Sequence, residues 1–168
     1  IGQIVVVGGV RRSAMISLSN LSDDRMRHAK SGQWWETAAH RALANNSVSY
    51  TEKPDVETFM REWLSLVESK SGERGIFNRE ASKKQAAKYG RRDPNYDFGT
   101  NPCSEIILRP YQFCNLTEVV VRATDTIEDL ERKVRMATIL GTIQSSYTKF
   151  PYLRKVWQNN TEEERLLG

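Results

Sequence analysis

Short extended runs that alternate with stretches of helical periodicity confine this chain to an α/β arrangement. Ile4-Val5-Val6-Val7 is β-branched and unbroken, as suits a strand covered on both faces, and Gly8-Gly9 ends it on an unusual backbone path. A second extended run covers residues 14–18, Ser47-Val48-Ser49-Tyr50 alternates, and Ile76-Phe77 is shorter still. Helices between such strands are the crossovers that a parallel sheet needs, and no repeat or low-complexity segment interrupts them.

The helices announce themselves by their caps. Ser22-Asp23-Asp24 reads as the start of a helix over residues 25–30 that Gly32 closes, and residues 34–44 read as a helix, or helix and loop, before Asn45-Asn46. The clearest helix spans residues 55–69. Asp55 caps it, and Val56, Phe59, Met60, Trp63, Leu64 and Val67 recur at three and four, a face expected to enter the core. Asn78 caps a polar helix reaching about residue 89. Residues 90–102, rich in Gly, Pro, Asn and Asp, form a loop that delivers Cys103. Residues 105–108 and 114–121 are strand-like. A long helix over residues 126–146 starts at Thr126, with Asp129 three residues on, and is expected to turn Ile127, Leu130, Val134, Ala137 and Ile143 inward; a short helix begins at Thr161.

Bulk properties exclude several classes. At 168 residues and a net charge of +4, the chain has the charged and apolar fractions of a globular protein with its own core. Its opening apolar run is far too short for a membrane span or a signal peptide, so no membrane association is expected. Two cysteines, with histidines only at positions 28 and 40, do not match zinc-site spacing. They are also too few for a secreted disulfide scaffold, which favours a reducing, cytoplasmic setting. Basic residues concentrate at Arg11-Arg12 and over residues 79–92, where a solvated helix face accounts for them. The chain starts at Ile1 without methionine and reads as a piece of something longer.

Chemistry concentrates in Asn101-Pro102-Cys103-Ser104-Glu105-Ile106, with Cys114 following in Phe113-Cys114-Asn115-Leu116-Thr117-Glu118. In an extended segment, Asn101, Cys103 and Glu105 would point to one side, each about 7 Å from the next. A thiol there can shuttle a hydrogen atom or proton, a carboxylate can act as general base toward a hydroxyl, and an amide can hold an oxygen. The residues alone leave a structural account open, since cysteine is often a small buried hydrophobe and Asn-Pro often starts a turn. Gly8-Gly9-Val10-Arg11 is neither a Walker loop nor a dinucleotide fingerprint; by itself it is a flexible basic turn. Asn45, Asn46 and Ser47 suit either a cavity lining or amides that satisfy loop backbone.

The Asn101–Glu105 run resembles the active-site segment of ribonucleotide reductases, and Asn-Pro-Cys is similar to their adenosylcobalamin-dependent class. The spacing to Cys114 resembles the monomeric, triphosphate-using members. Val7-Gly8-Gly9-Val10-Arg11-Arg12-Ser13-Ala14 is similar to the specificity-loop region, and Asn45-Asn46-Ser47-Val48 to another barrel segment. Ser104 departs from the glycine more usual at its position.

This resemblance implies that residues 1–168 are an internal segment of a ten-stranded α/β barrel, with a finger loop carrying the active cysteine to its centre. Residues 1–20 would supply a strand and the specificity loop, 55–90 helices, 95–121 the finger loop and strands, and 126–148 a helix. Cys103 would be the thiyl site, Glu105 the base for the 3′ hydroxyl, Asn101 a holder of hydroxyls, and Cys114 one member of a reducing pair whose partner precedes Ile1. Gly8, Gly9, Val10, Arg11 and Arg12 would pass information between a deoxynucleotide effector and the substrate base, with Arg11 as the contact. Adenosylcobalamin, a ribonucleoside triphosphate, a thioredoxin-like or dithiol reductant and the remaining segments of the enzyme are the implied partners. The chain alone is expected to be inactive. A disulfide between Cys103 and Cys114 would silence the radical thiol. Two other readings are a diiron-dependent diphosphate reductase and a nucleotide- or nucleic-acid-binding module built on the basic residues, whose binding would depend steeply on salt.

Overall fold

The structure, a computed structural model, describes Gln3 and residues 14–168, so the strand expected at residues 4–7 and the loop from Gly8 to Arg12 lie outside the described residues. The chain divides into two compact units, Ile1–Ile107 and Leu108–Gly168.

In the first unit, β1 (Ile16–Ser19), β2 (Asn45–Tyr50) and β3 (Gly75–Asn78) form a parallel sheet in the order β1-β2-β3. Ile16 pairs with Asn45, and Ser47 with Gly75. The passage from β1 to β2 contains α1 (Asp24–Arg27), α2 (Trp34–Thr37) and a 3-10 turn at Ala39–Leu43; the passage from β2 to β3 contains α3 (Val56–Ser69). This is the α/β arrangement with a parallel sheet that the alternating runs require. α4 (Arg79–Ala87) follows β3, and β4 (Gly99–Thr100) pairs with β5 (Ile107–Leu108).

The caps form where the sequence places them. Asp23 accepts from the Met26 amide at 3.0 Å, Asp55 from Thr58 at 2.9 Å and Asn78 from Ala81 at 2.9 Å, satisfying amides that the first helical turn cannot pair. Gly32 and Gly90 take positive φ, 63° and 62°, a backbone conformation that glycine adopts without strain. The first helix is shorter than expected, stopping at Arg27.

The apolar row of α3 faces outward, contrary to the expectation that it enters the core. Val56, Met60, Trp63, Leu64 and Val67 are all exposed, and Glu62 is the helix residue that is fully buried. Glu62 lies about 200° round the helix from Met60, at 3.6 residues per turn. Its carboxylate is what the first unit places inward. Arg74 meets Glu62 Oε1 through Nε at 2.7 Å and Oε2 through Nη2 at 2.9 Å, and Arg27 Nε donates to Oε2 at 3.0 Å. Arg74 also donates to the Ser19 hydroxyl at 2.8 Å and the Asn20 carbonyl at 3.0 Å, so one guanidinium joins α3 to the end of β1. Burial works against ionisation of Glu62, but the hydrogen bonds and charges of Arg74 and Arg27 outweigh it and hold the carboxyl below the usual glutamate range. Val48, Tyr50, Phe77 and Phe98 supply the apolar core of this unit.

The second unit contains α5 (Ile127–Ser146) and α6 (Lys155–Glu164). Thr126 and Asp129 form the expected capping box. Ile127, Val134 and Ile143 are exposed rather than inward, and the buried residues of α5 are Gly141 and Ser145. A Cβ on Gly141 would collide with the Leu167 side chain, so the absence of a side chain lets the carboxy-terminal segment lie against this helix. Residues 114–121 make no strand; Asn115 forms an isolated parallel bridge with Leu167. α6 begins at Lys155, not at Thr161. Among the described residues no helix is long and apolar enough to cross a membrane, and no cluster of three metal-ligating side chains occurs.

Candidate active site

Residues 101–105 form a turn, not the extended run that alternation would need. The Ser104 amide donates to the Asn101 carbonyl at 3.0 Å, closing a four-residue turn with Pro102 in its second position, where a fixed φ near −65° is favoured. Ser104 then takes φ 65°, the left-handed region that glycine adopts without strain. This is the position at which serine replaces the glycine of the resemblance.

Around the turn, Asn101 is spent partly on the backbone. Its Oδ1 accepts from the Ile106 amide at 3.2 Å, and the Thr100 hydroxyl donates to the Ile106 carbonyl at 3.0 Å. Cys103 and Glu105 are exposed at the tip, on either side of Ser104. The approach to the turn is held by Phe98, which is fully buried; Arg79 Nε donates to its carbonyl at 2.7 Å, and the Arg92 guanidinium lies 5.2 Å from its ring centre. The turn thus brings a thiol, a carboxylate and an amide into five residues without alternation.

Asn45 contributes from the sheet. Its Nδ2 donates to the Pro102 carbonyl at 3.3 Å, which is the loop-backbone role among the two that the sequence allowed. Ser47 and Ser49 follow it on the same face of β2, both buried, and the Ser49 hydroxyl has no hydrogen-bond partner among the described residues.

Cys114 sits in the second unit, half-buried. Before it, the Phe113 ring stands edge-on to Phe150 at 5.2 Å and stacks on Trp157 at 6.5 Å. After it, the Asn115 amide donates to the Leu166 carbonyl at 3.0 Å and the Asn115 carbonyl accepts from Gly168 at 2.9 Å. Neither cysteine is in a disulfide. Gly8, Gly9, Val10, Arg11 and Arg12 lie outside the described residues.

Among the described residues, ionic groups that escape the sequence reading include Arg27–Glu62–Arg74; Lys30 with Glu73, at 2.9 Å; and buried Arg109, which donates to Asn160 at 2.8 Å and to Glu163 at 2.5 Å. Glu62 carried one signal, since it is the acid placed opposite an apolar row. Nothing local marks Lys30, Glu73 or Arg109, whose partners lie 43 to 54 residues away.

The turn places an exposed thiol between an amide and a carboxylate, and comparison with known proteins says what the chain is similar to. The chain matches a fragment of the adenosylcobalamin-dependent ribonucleoside-triphosphate reductases. It is 38% identical over 127 residues to the enzyme of that name from Lacticaseibacillus paracasei, 35% over 124 residues to that of Levilactobacillus brevis, and 35% over 130 residues to that of Lactobacillus leichmannii. Each match covers 71% of this chain and 16% of the relative, so the matched stretch is a small part of those proteins. No family model and no solved structure matches the chain. The names of these relatives specify a triphosphate substrate and adenosylcobalamin.

Proposed function

We propose that this chain forms part of a cytoplasmic adenosylcobalamin-dependent ribonucleoside-triphosphate reductase, and that the turn bearing Cys103 is its finger loop within a ten-stranded barrel. The observation that carries the reading is an exposed Cys103 sharing one turn with Asn101 and Glu105, in a chain that matches that reductase.

A hydrogen on a ribose carbon is not acidic enough for a side-chain base, so its removal calls for a radical, and sulfur hosts one reversibly. When bound, adenosylcobalamin supplies that radical by cleavage of its cobalt–carbon bond. Among the described residues Cys103 is the one suited to meet it, because its sulfur is exposed at the tip of a turn. Cys103 takes the 3′ hydrogen atom and later returns it. Glu105 accepts the proton of the 3′ hydroxyl, and the Asn101 side-chain amide holds neighbouring hydroxyls. The 2′ oxygen leaves as water, and two thiols, Cys114 and a partner elsewhere in the enzyme, become a disulfide as they supply the two electrons. A thioredoxin-like or small dithiol then reduces that disulfide. The role assigned to Gly8, Gly9, Val10, Arg11 and Arg12 is to relay a deoxynucleotide effector to the choice of substrate base, with Arg11 as the contact.

The test uses the complete protein that carries this sequence, assayed with adenosylcobalamin, a ribonucleoside triphosphate and a dithiol. Cys103→Ser is expected to abolish reduction while nucleotide binding persists, because an alcohol O–H bond is too strong to exchange the hydrogen. Glu105→Gln is expected to lower turnover about a hundredfold or more. Wild-type turnover in Cys103→Ser would overturn the reading.

A further inference from the structure

We propose that Asn45 is a positioning residue for the turn that presents Cys103, and that Lys30 and Glu73 fix Asn45 for that task. The proposal rests on the reading of Cys103 as the reacting thiol. The hydrogen bonds of the turn itself begin and end within residues 100–106: Ser104 to Asn101, Ile106 to Asn101, and Thr100 to Ile106. They close the turn but do not set its tip against the sheet. The bond from Asn45 does. It comes from 57 residues away and ends on the Pro102 carbonyl, which belongs to the peptide that leads into Cys103.

Asn45 can serve as a fixed point because both peptides that flank it are pinned, the first of them at its carbonyl and at its amide. Lys30 Nζ donates to the Ala44 carbonyl at 2.5 Å, the Asn45 amide donates to the Met15 carbonyl at 2.9 Å, and the Asn46 amide donates to Glu73 Oε2 at 2.8 Å. Lys30 and Glu73 are themselves joined at 2.9 Å. Lys30 is 6% exposed, and its ammonium lies 5.6 Å from the centre of the Trp34 ring. A buried cation with a carboxylate, a carbonyl and an aromatic face around it has little freedom, and that rigidity passes to the start of β2.

Asn45 is exposed, so losing its side-chain donor leaves the fold intact and shifts the population of the tip by about fivefold, the weight of one neutral hydrogen bond. Small misplacement of a reacting group costs rate far more than binding. The effect belongs in kcat, not in KM.

The experiment compares Asn45→Ala, Asn45→Asp and Asn45→Gln in the complete protein, with Glu73→Gln as a second route to the same clamp. Iodoacetamide labelling of the Cys103 peptide is followed by mass spectrometry, and turnover is measured beside it. Alanine and aspartate, which lack the donor, are expected to change the Cys103 labelling rate about threefold or more. They should lower kcat about fivefold or more, with KM within about twofold of wild type. Glutamine keeps the donor and is expected to recover both, and Glu73→Gln should move both in the direction of alanine. Labelling rates in alanine and aspartate that superimpose on wild type would overturn the proposal, as would a kcat loss that glutamine does not relieve. Full turnover in Cys103→Ser would instead overturn the reacting-thiol reading, in an assay that does not depend on labelling.

Discussion

The sheet scaffold and the Cys103 turn obtain their shape by opposite means. Beside the sheet's first strand, buried Glu62 and Arg74 and half-buried Arg27 satisfy one another and reach β1, so position is set by ions largely withdrawn from water. At the turn, exposed residues rely on a proline, a left-handed serine and a few local hydrogen bonds. A buried charge that loses its partner is costly, whereas an exposed turn tolerates change at its tip. The scaffold is therefore strict about composition, and the reactive segment can present its thiol without disturbing it.

The largest expected effect tests the scaffold. Glu62→Gln leaves two arginines without their shared carboxylate and is expected to destabilise the protein by about 3–5 kcal/mol, measured by denaturant unfolding. The pH dependence has a definite sign. Because the folded Glu62 carboxyl lies below its unfolded value, its contribution is complete above about pH 4.3 and is lost as pH falls through the folded value. The variant should accordingly lose less stability than wild type on acidification below that point, and equal losses would break the contrast between scaffold and turn.

A smaller effect separates the two cysteines. Cys103, at an exposed tip, should be alkylated about tenfold faster than half-buried Cys114, read peptide by peptide. Equal rates would show that the turn is more enclosed than its exposure indicates. Smallest of all, Ser104→Gly should relieve a left-handed residue and stabilise by about 1 kcal/mol, with no change in Cys103 labelling beyond about twofold.

The sequence makes local signals legible and leaves distant ones dark. Asp55, Asn78 and Thr126 each cap the helix that follows them, because capping needs only residues three apart. The apolar row of α3 is real, yet its periodicity identifies a face without telling which side meets the sheet; Glu62 and its arginines decide that. The condition of an extended run at residues 101–105 is not met, because Pro102 and the Ser104–Asn101 bond bend the backbone where a strand would run straight, while the loop expected to deliver Cys103 is present. Residues 114–121 have strand-like composition, but the described pairing there is the single bridge at Asn115. Asn101, Cys103 and Glu105, the residues of the proposed site, stand together in the sequence and in its resemblance, whereas the tie from Asn45 joins residues that only folding makes neighbours.

Parallel pairing in the β1-β2-β3 sheet also governs how quickly the chain can find this arrangement. Ile16 must meet Asn45, and Ser47 must meet Gly75, each across a crossover, before the first ladder bond forms. Closing such loops is an entropic cost incurred in advance, and topologies rich in distant pairings fold slowly for that reason. α3 and α5 can nucleate on their own caps in far less time. The scaffold that orients Cys103 is thus expected to be among the last features to assemble, so the thiol stays unaligned until the slowest pairings are made.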